Sequence, residues 1–155
     1  MNNVCFMKTP AGVVRIEDDG EYLLQLDFAE HACGCCLGSL ASPIGREVKT
    51  QLSEYFAGER RSFDIPLRLE GTDFQKRIWN ALLDIPFGET RSYKEVAEAA
   101  GSPKGARAAG QAVHVNPVAI IVPCHRVISS DGSIGGFAAG TGVKTVLLQV
   151  EGHVF

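Results

Sequence analysis

Two four-residue segments constrain this chain most. Thr72-Asp73-Phe74-Gln75 and Ser92-Tyr93-Lys94-Glu95 each set a hydroxyl three residues before a Gln or Glu. In that spacing the hydroxyl accepts the third residue's amide and the third side chain accepts the cap's own amide, so each segment starts a helix. After the first, Phe74, Ile78 and Leu82 recur every four residues with Trp79 and Leu83 beside them. This predicts a helix to about Asp84, broken at Pro86-Phe87-Gly88. The second helix ends at Gly101, and Pro103 blocks its continuation. A third is predicted from about Lys104 to Val113, ahead of Asn116-Pro117. A last one is predicted from about Gly142 to Val150, with Val143, Val146, Leu147 and Val150 on its apolar side.

The first part of the chain has a different texture. Val4–Met7, Gly12–Ile16 and Tyr22–Phe28 are short apolar segments separated by Thr-Pro-Ala-Gly and Asp-Asp-Gly turns, which predicts strands. Residues 29–41 show no period and read as a loop. Ser42-Pro43 is a helix start, Val48, Leu52, Tyr55 and Phe56 make an apolar helical face, and Gly58 can end it. Residues 59–71 read as a linker with one short strand. The expected fold class is therefore α+β: an α/β domain over residues 1–70, then a mainly helical domain over 71–155.

With 155 residues, 45% hydrophobic and 21% charged, the composition is that of an ordinary globular protein. No apolar stretch approaches the ~20 residues of a membrane span. The N-terminus lacks a basic segment followed by an apolar one, so the expected place is the cytoplasm, with no membrane partner. The net charge of −3 argues mildly against nucleic acid, but its distribution does not. Residues 1–70 hold 7 basic and 11 acidic side chains, and residues 91–126 hold five basic and two acidic ones. A local basic patch binds phosphates even on an acidic protein; ordinary surface fluctuation is the alternative.

Within that region stands Val122-Pro123-Cys124-His125-Arg126-Val127, preceded by the apolar run Val118–Val122. Burying a thiol, an imidazole and a guanidinium together costs several kcal/mol unless they are paired. The run reads as a strand that delivers Cys124. A reactive cysteine needs a base or a cation nearby, and sequence adjacency to His125 does not supply a hydrogen bond, because neighbouring side chains diverge. A sharp turn after Pro123, or a water, would be needed. An imidazole acting as base also needs an orienting carboxylate, for which Glu151 is a candidate. The alternative is a buried structural cysteine.

Upstream, Ser92 to Val113 reads helix, tight turn, helix. The second of these helices is rich in small residues: Gly105, Ala106, Ala108, Ala109, Gly110 and Ala112. It offers Lys104, Arg107 and Gln111 as its long polar side chains. Close approach to DNA with one inserted arginine suits such a helix. Tight packing against its neighbour is the plainer reading of the small residues taken alone.

Taken together, GTDFQKRIWNAL, IPFGETRSY, ARAAGQA, NPVAIIVPCHRVI and LLQVEG strongly resemble the O6-alkylguanine-DNA alkyltransferases, the methylated-DNA–protein-cysteine methyltransferases. The likeness runs from about Gly71 to Gly152; TPAG and EYFAGE carry it more loosely into the N-terminal part. It implies a ribonuclease-H-like α/β domain followed by a helical domain with a helix-turn-helix of winged-helix type. It implies double-stranded DNA containing O6-alkylguanine as partner, a monomer, and no diffusible cofactor. By the same resemblance Cys124 accepts the alkyl group, His125 takes its proton through a water, Glu151 holds His125, and Asn116 fixes the turn before the active-site strand. Tyr93 covers the extruded base, and Arg107, flanked by Ala106 and Gln111 on the same DNA-facing helix, fills its place in the stack. The backbones of Cys124 and Val127 recognise guanine, and the loop Ser133–Gly140, with Phe137 and Ala138, closes over it.

Phe137 stands where the family usually has tyrosine, and Ala138-Ala139-Gly140 is less glycine-rich than usual, which makes bulky alkyl groups less certain substrates than methyl. Arg126 is expected to anchor the two domains through a carboxylate or carbonyls. Five cysteines in a reducing compartment are thiols, ligands or catalytic groups. Cys33 and Cys36, with Cys5 or His31, could hold zinc, form a redox pair or simply lie in a loop. Two other functions compete: a non-catalytic module that binds alkylated DNA, and a thiol hydrolase built on Cys124 and His125.

Overall fold

The structure is a computed structural model that describes residues 2–29, 41–137 and 140–153. The chain divides into two compact units, Met1–Leu69 and Glu70–Phe155.

The first unit is an antiparallel meander of β1 (Asn3–Thr9), β2 (Gly12–Asp18) and β3 (Leu23–Ala29), in that order. Cys5 pairs with Ile16 and Ile16 with Leu26, so alternate residues of three strands share one face. Cys5, Val14, Ile16 and Leu26 on that face are buried. After β2 the Asp19 carboxylate accepts the amides of Glu21 and Tyr22, which closes the turn as an Asx motif. Helix α1 (Pro43–Phe56) begins at Ser42, whose hydroxyl accepts the Gly45 amide and donates to the buried Asp18 carboxylate at 2.6 Å. The helix start is thereby tied to the end of β2. Val48, Leu52 and Tyr55 form its buried face. The Gln51 amide both donates to and accepts from the Asp64 backbone, which holds the following segment, and Leu67 then makes a parallel bridge with Leu23.

The second unit contains α2 (Asp73–Leu83), β4 (Arg91–Ser92), α3 (Tyr93–Ala99), α4 (Ala106–His114), a 3-10 turn (Cys124–Arg126), β5 (Val127–Ile128) and α5 (Thr141–Val150). Both capping boxes form in full. Helix α4 starts at Ala106, two residues later than expected, because Ser102 to Gly105 closes as a turn in which Gly105 donates to the Ser102 carbonyl. The core gathers Ile78, Trp79 and Leu82 of α2, Val96 and Ala97 of α3, Ala109 and Ala112 of α4, and Leu147 and Leu148 of α5. The Trp79 indole donates to the Ala112 carbonyl at 2.9 Å, so the largest core side chain also satisfies its polar edge. Strands β4 and β5 pair in parallel, Arg91 with Val127 and Ser92 with Ile128, which brings the start of α3 beside the segment that follows Cys124.

Two expectations are corrected here. Val118–Val122 is a series of tight turns, with no strand. Ile121 donates to the Ala119 carbonyl, Val122 to Val118 and Cys124 to Val122, and Ile120 sits at φ +70°. Apolarity called for burial, and Val118, Ile120, Ile121 and Val122 are indeed buried, but a turn buries them as well as a strand does. The buried face of α5 is also different. It is Lys144, Leu147, Leu148 and Glu151, while Val143, Val146 and Val150 are only half-buried. Two ionic side chains turn inward there because each finds partners. Among the described residues no helix is long and apolar enough to cross a membrane.

Candidate active site

Asn116 organises the turn that leads to Cys124. Its side-chain oxygen accepts the Val118 amide at 3.0 Å and its amide nitrogen donates to the Val122 carbonyl at 2.8 Å. One side chain thus pairs the Val118 amide and gives the Val122 carbonyl, which also accepts the Cys124 amide, a second donor. Pro123 then precedes the 3-10 turn, which supplies the sharp bend that a Cys-His-Arg triplet needs to send three side chains to different places.

Cys124, His125 and Arg126 are all buried. Burial pushes the Cys124 thiol up to about 11, against an Asn116 hydrogen bond, the Lys144 charge and the amides of Cys124 and His125, which favour the thiolate. At neutral pH this thiol therefore holds its proton until a base accepts it. His125 Nε2 meets Glu151 Oε2 at 2.5 Å. Burial lowers the imidazole's pKa; Glu151 opposes that, and the cations Arg126 and Lys144 reinforce it. An imidazole that stays neutral inside the protein, with its Nε2 side fixed by a carboxylate, is prepared to take a proton.

The described hydrogen-bond partners of Arg126 lie within its own unit. Its Nε donates to Glu151 Oε1 at 2.8 Å, its Nη2 to Oε2 at 3.2 Å and its Nη1 to the Ile85 carbonyl at 2.7 Å, all within Glu70–Phe155. A carboxylate and a carbonyl are its partners, as the sequence suggested, but they are local ones. Lys144 is a residue that sequence reasoning missed. Its Nζ donates to the carbonyls of Val127, at 2.5 Å, and Gly136, at 3.1 Å, and burial lowers it to about 8. The signal was its spacing: Lys144, Leu147, Leu148 and Glu151 share one helical face.

Tyr93, the first residue of α3, is half-buried beside α4, where a side chain added at Gly110 would meet its ring at 3.6 Å. Burial and the negative charge of a Cys124 thiolate push its hydroxyl up, so it stays protonated and able to donate. Arg107 and Gln111 are exposed on α4, as are Lys104 in the turn before it and His114 at its end, while Ala106 is half-buried at its start. Val127 is buried and Phe137 half-buried. Ala138 lies outside the described residues, as do His31, Cys33 and Cys36 of the suggested zinc site. Cys5 is buried in β1, where burial raises its thiol. Among the described residues no group of three or more His, Cys, Asp or Glu side chains could hold a metal.

Residues 5–69 match the ribonuclease-like domain of 6-O-methylguanine DNA methyltransferase, and residues 73–153 match its DNA-binding domain. The chain belongs to this family. Among the family's methylated-DNA–protein-cysteine methyltransferases, that of Methanosarcina acetivorans is 56% identical over 107 residues, 69% of each chain. That of Mycobacterium tuberculosis is 56% identical over 101 residues, 65% of this chain and 61% of its own. The crystal structure of the M. tuberculosis O6-methylguanine methyltransferase superposes with a TM-score of 0.86 at 42% identity, over 97% of this chain and 93% of that one. The same mycobacterial protein in complex with DNA gives a TM-score of 0.85 at 43% identity, over 96% and 91%. The methyltransferase fold, a small sheet domain followed by a helical DNA-binding domain, is therefore that of this chain.

Proposed function

We propose that this methyltransferase repairs DNA by taking the alkyl group of O6-alkylguanine onto Cys124 in one irreversible transfer. The observation that carries the reading is the pairing of buried His125 with buried Glu151, next in sequence to a buried Cys124 that Asn116 contacts, in the same unit as a helix whose exposed side bears Arg107 and Gln111. The alkyl carbon is out of reach inside a duplex. The nucleotide is turned out through the minor groove at a cost of a few kcal/mol, and Arg107 takes its place in the stack. Ala106 and Gln111 flank Arg107 along the groove. Tyr93 covers the base, the Cys124 and Val127 backbones read it, and the loop with Phe137 and Ala138 closes over it.

His125 takes the Cys124 proton, through a water, and Glu151 stabilises the imidazolium. The thiolate sulfur attacks the alkyl carbon in line, forming the S–C bond as the C–O bond breaks. Guanine leaves as its ring accepts a proton, which Tyr93 helps to place. The product thioether has no easy leaving group, so each molecule, acting as a monomer without a cofactor, turns over once.

The test is direct. Protein incubated with duplex DNA carrying O6-methylguanine gains the mass of one methylene on the Cys124 peptide, and Cys124→Ser gains none. Binding without a mass gain would make the protein an alkylated-DNA-binding module instead.

A further inference from the structure

We propose that Arg126, anchored by the Ile85–Gly88 loop, is a positioning residue that divides the Glu151 carboxylate with His125 and so sets both the aim of the imidazole and the pH range in which it works. The proposal rests on the reading that His125 receives the Cys124 proton.

Both Glu151 oxygens are fully employed. Oε1 accepts from Arg126 Nε at 2.8 Å and from the Gly88 amide at 3.2 Å. Oε2 accepts from His125 Nε2 at 2.5 Å and from Arg126 Nη2 at 3.2 Å. The guanidinium therefore grips the carboxylate at two points and leaves the imidazole one direction of approach. Arg126 is itself held: Nη1 donates to the Ile85 carbonyl at 2.7 Å, and its Cζ lies 5.8 Å from the centre of the Phe87 ring. The Pro86-Phe87-Gly88 segment, at first sight only a helix breaker, thus contributes one ring and one amide to the network, and Ile85 just before it contributes one carbonyl. The Gly88 φ of +83° suits glycine and lets that amide approach.

Among the described residues the charged groups that bear on the His125 imidazole are Glu151, Arg126 and Lys144, and the Cys124 sulfur is met by the His125 backbone amide. Glu151 favours the imidazolium, and the two cations disfavour it. Arg126 thus opposes its neighbour's protonation while it fixes the carboxylate that supports it. Lysine would keep the charge but could not make the planar two-point grip.

The test is the single-turnover rate of methyl transfer from an O6-methylguanine duplex, across about pH 5 to 9. Wild type, Arg126→Gln and Arg126→Lys are compared, with DNA affinity and Tm measured in parallel. Histidine-ring NMR titration reports the imidazole directly. Arg126→Gln is expected to move the acid limb, and the His125 titration, up by about one pH unit. Arg126→Lys is expected to leave the limb in place and lower the plateau rate. Loss of rate in Arg126→Gln at every pH with an unmoved limb means a merely structural role and overturns the proposal, as does a wild-type rate in Arg126→Lys. If Arg126→Gln fails to fold, the lysine variant decides. Failure of wild type to transfer methyl would instead overturn the proposed function.

Discussion

At the scale of single residues, the candidate site combines a thiol that burial keeps protonated with an imidazole that burial keeps neutral. Glu151→Gln removes the charge that favours the imidazolium but keeps the shape of the side chain. The transfer rate should fall by about 10²- to 10⁴-fold, with the acid limb moving to lower pH, in single-turnover assays. Burial of Cys124 also has a signature in stability. Its thiol titrates near 9.0 when unfolded and about 11 when folded, so between those values the native state binds more protons and loses stability as pH rises. Relative to Cys124→Ala, the wild-type Tm should therefore decline across that window. Lys144 acts oppositely: it falls from 10.5 to about 8 on folding, so the unfolded state binds more protons and stability climbs through that range. In Cys124→Ala this climb stands without the opposing decline. Cys124, His125, Glu151 and Asn116 could be named as candidates from the sequence because their types and order resemble a known family. Lys144 was not, because lysine ordinarily lies at the surface and only its carbonyl partners explain its burial.

At the scale of elements, caps and turns were the most legible features. Ser42, Thr72 and Ser92 all cap as their spacing requires, because that chemistry is local. The 118–122 run was misread because its shape is set by Asn116 and the surrounding core, and an apolar run alone does not separate a buried strand from a buried turn. Ser92→Ala should cost about 1 kcal/mol by denaturant unfolding. It should also slow transfer, since the first residue of the short helix it caps is Tyr93. Arg107 belongs to the exposed side of α4 and to none of the buried network. Arg107→Ala should slow transfer from duplex DNA while leaving transfer from free O6-methylguanine base unchanged. Equal loss on both substrates would contradict its role in base extrusion.

At the scale of the whole molecule, the chemistry and the charge are unevenly spread. Every described member of the site lies in Glu70–Phe155, which has its own core of Trp79, Ile78, Leu82, Leu147 and Leu148. A fragment beginning at Glu70 should accept one methyl group per molecule, as read by intact mass. The basic side chains are few, so affinity for duplex DNA should fall with salt at a slope of roughly −2 to −4 on logarithmic axes. The inward face of α5 carries a further consequence. Lys144 and Glu151 sit two helical turns apart and are aimed by the phase of one helix. One residue added between them would rotate Glu151 by about 100° away from His125. The exposed Gln149 and half-buried Thr145 between them leave room for many side chains. At those two codons the gene should therefore accept changes of letter far more readily than changes of length.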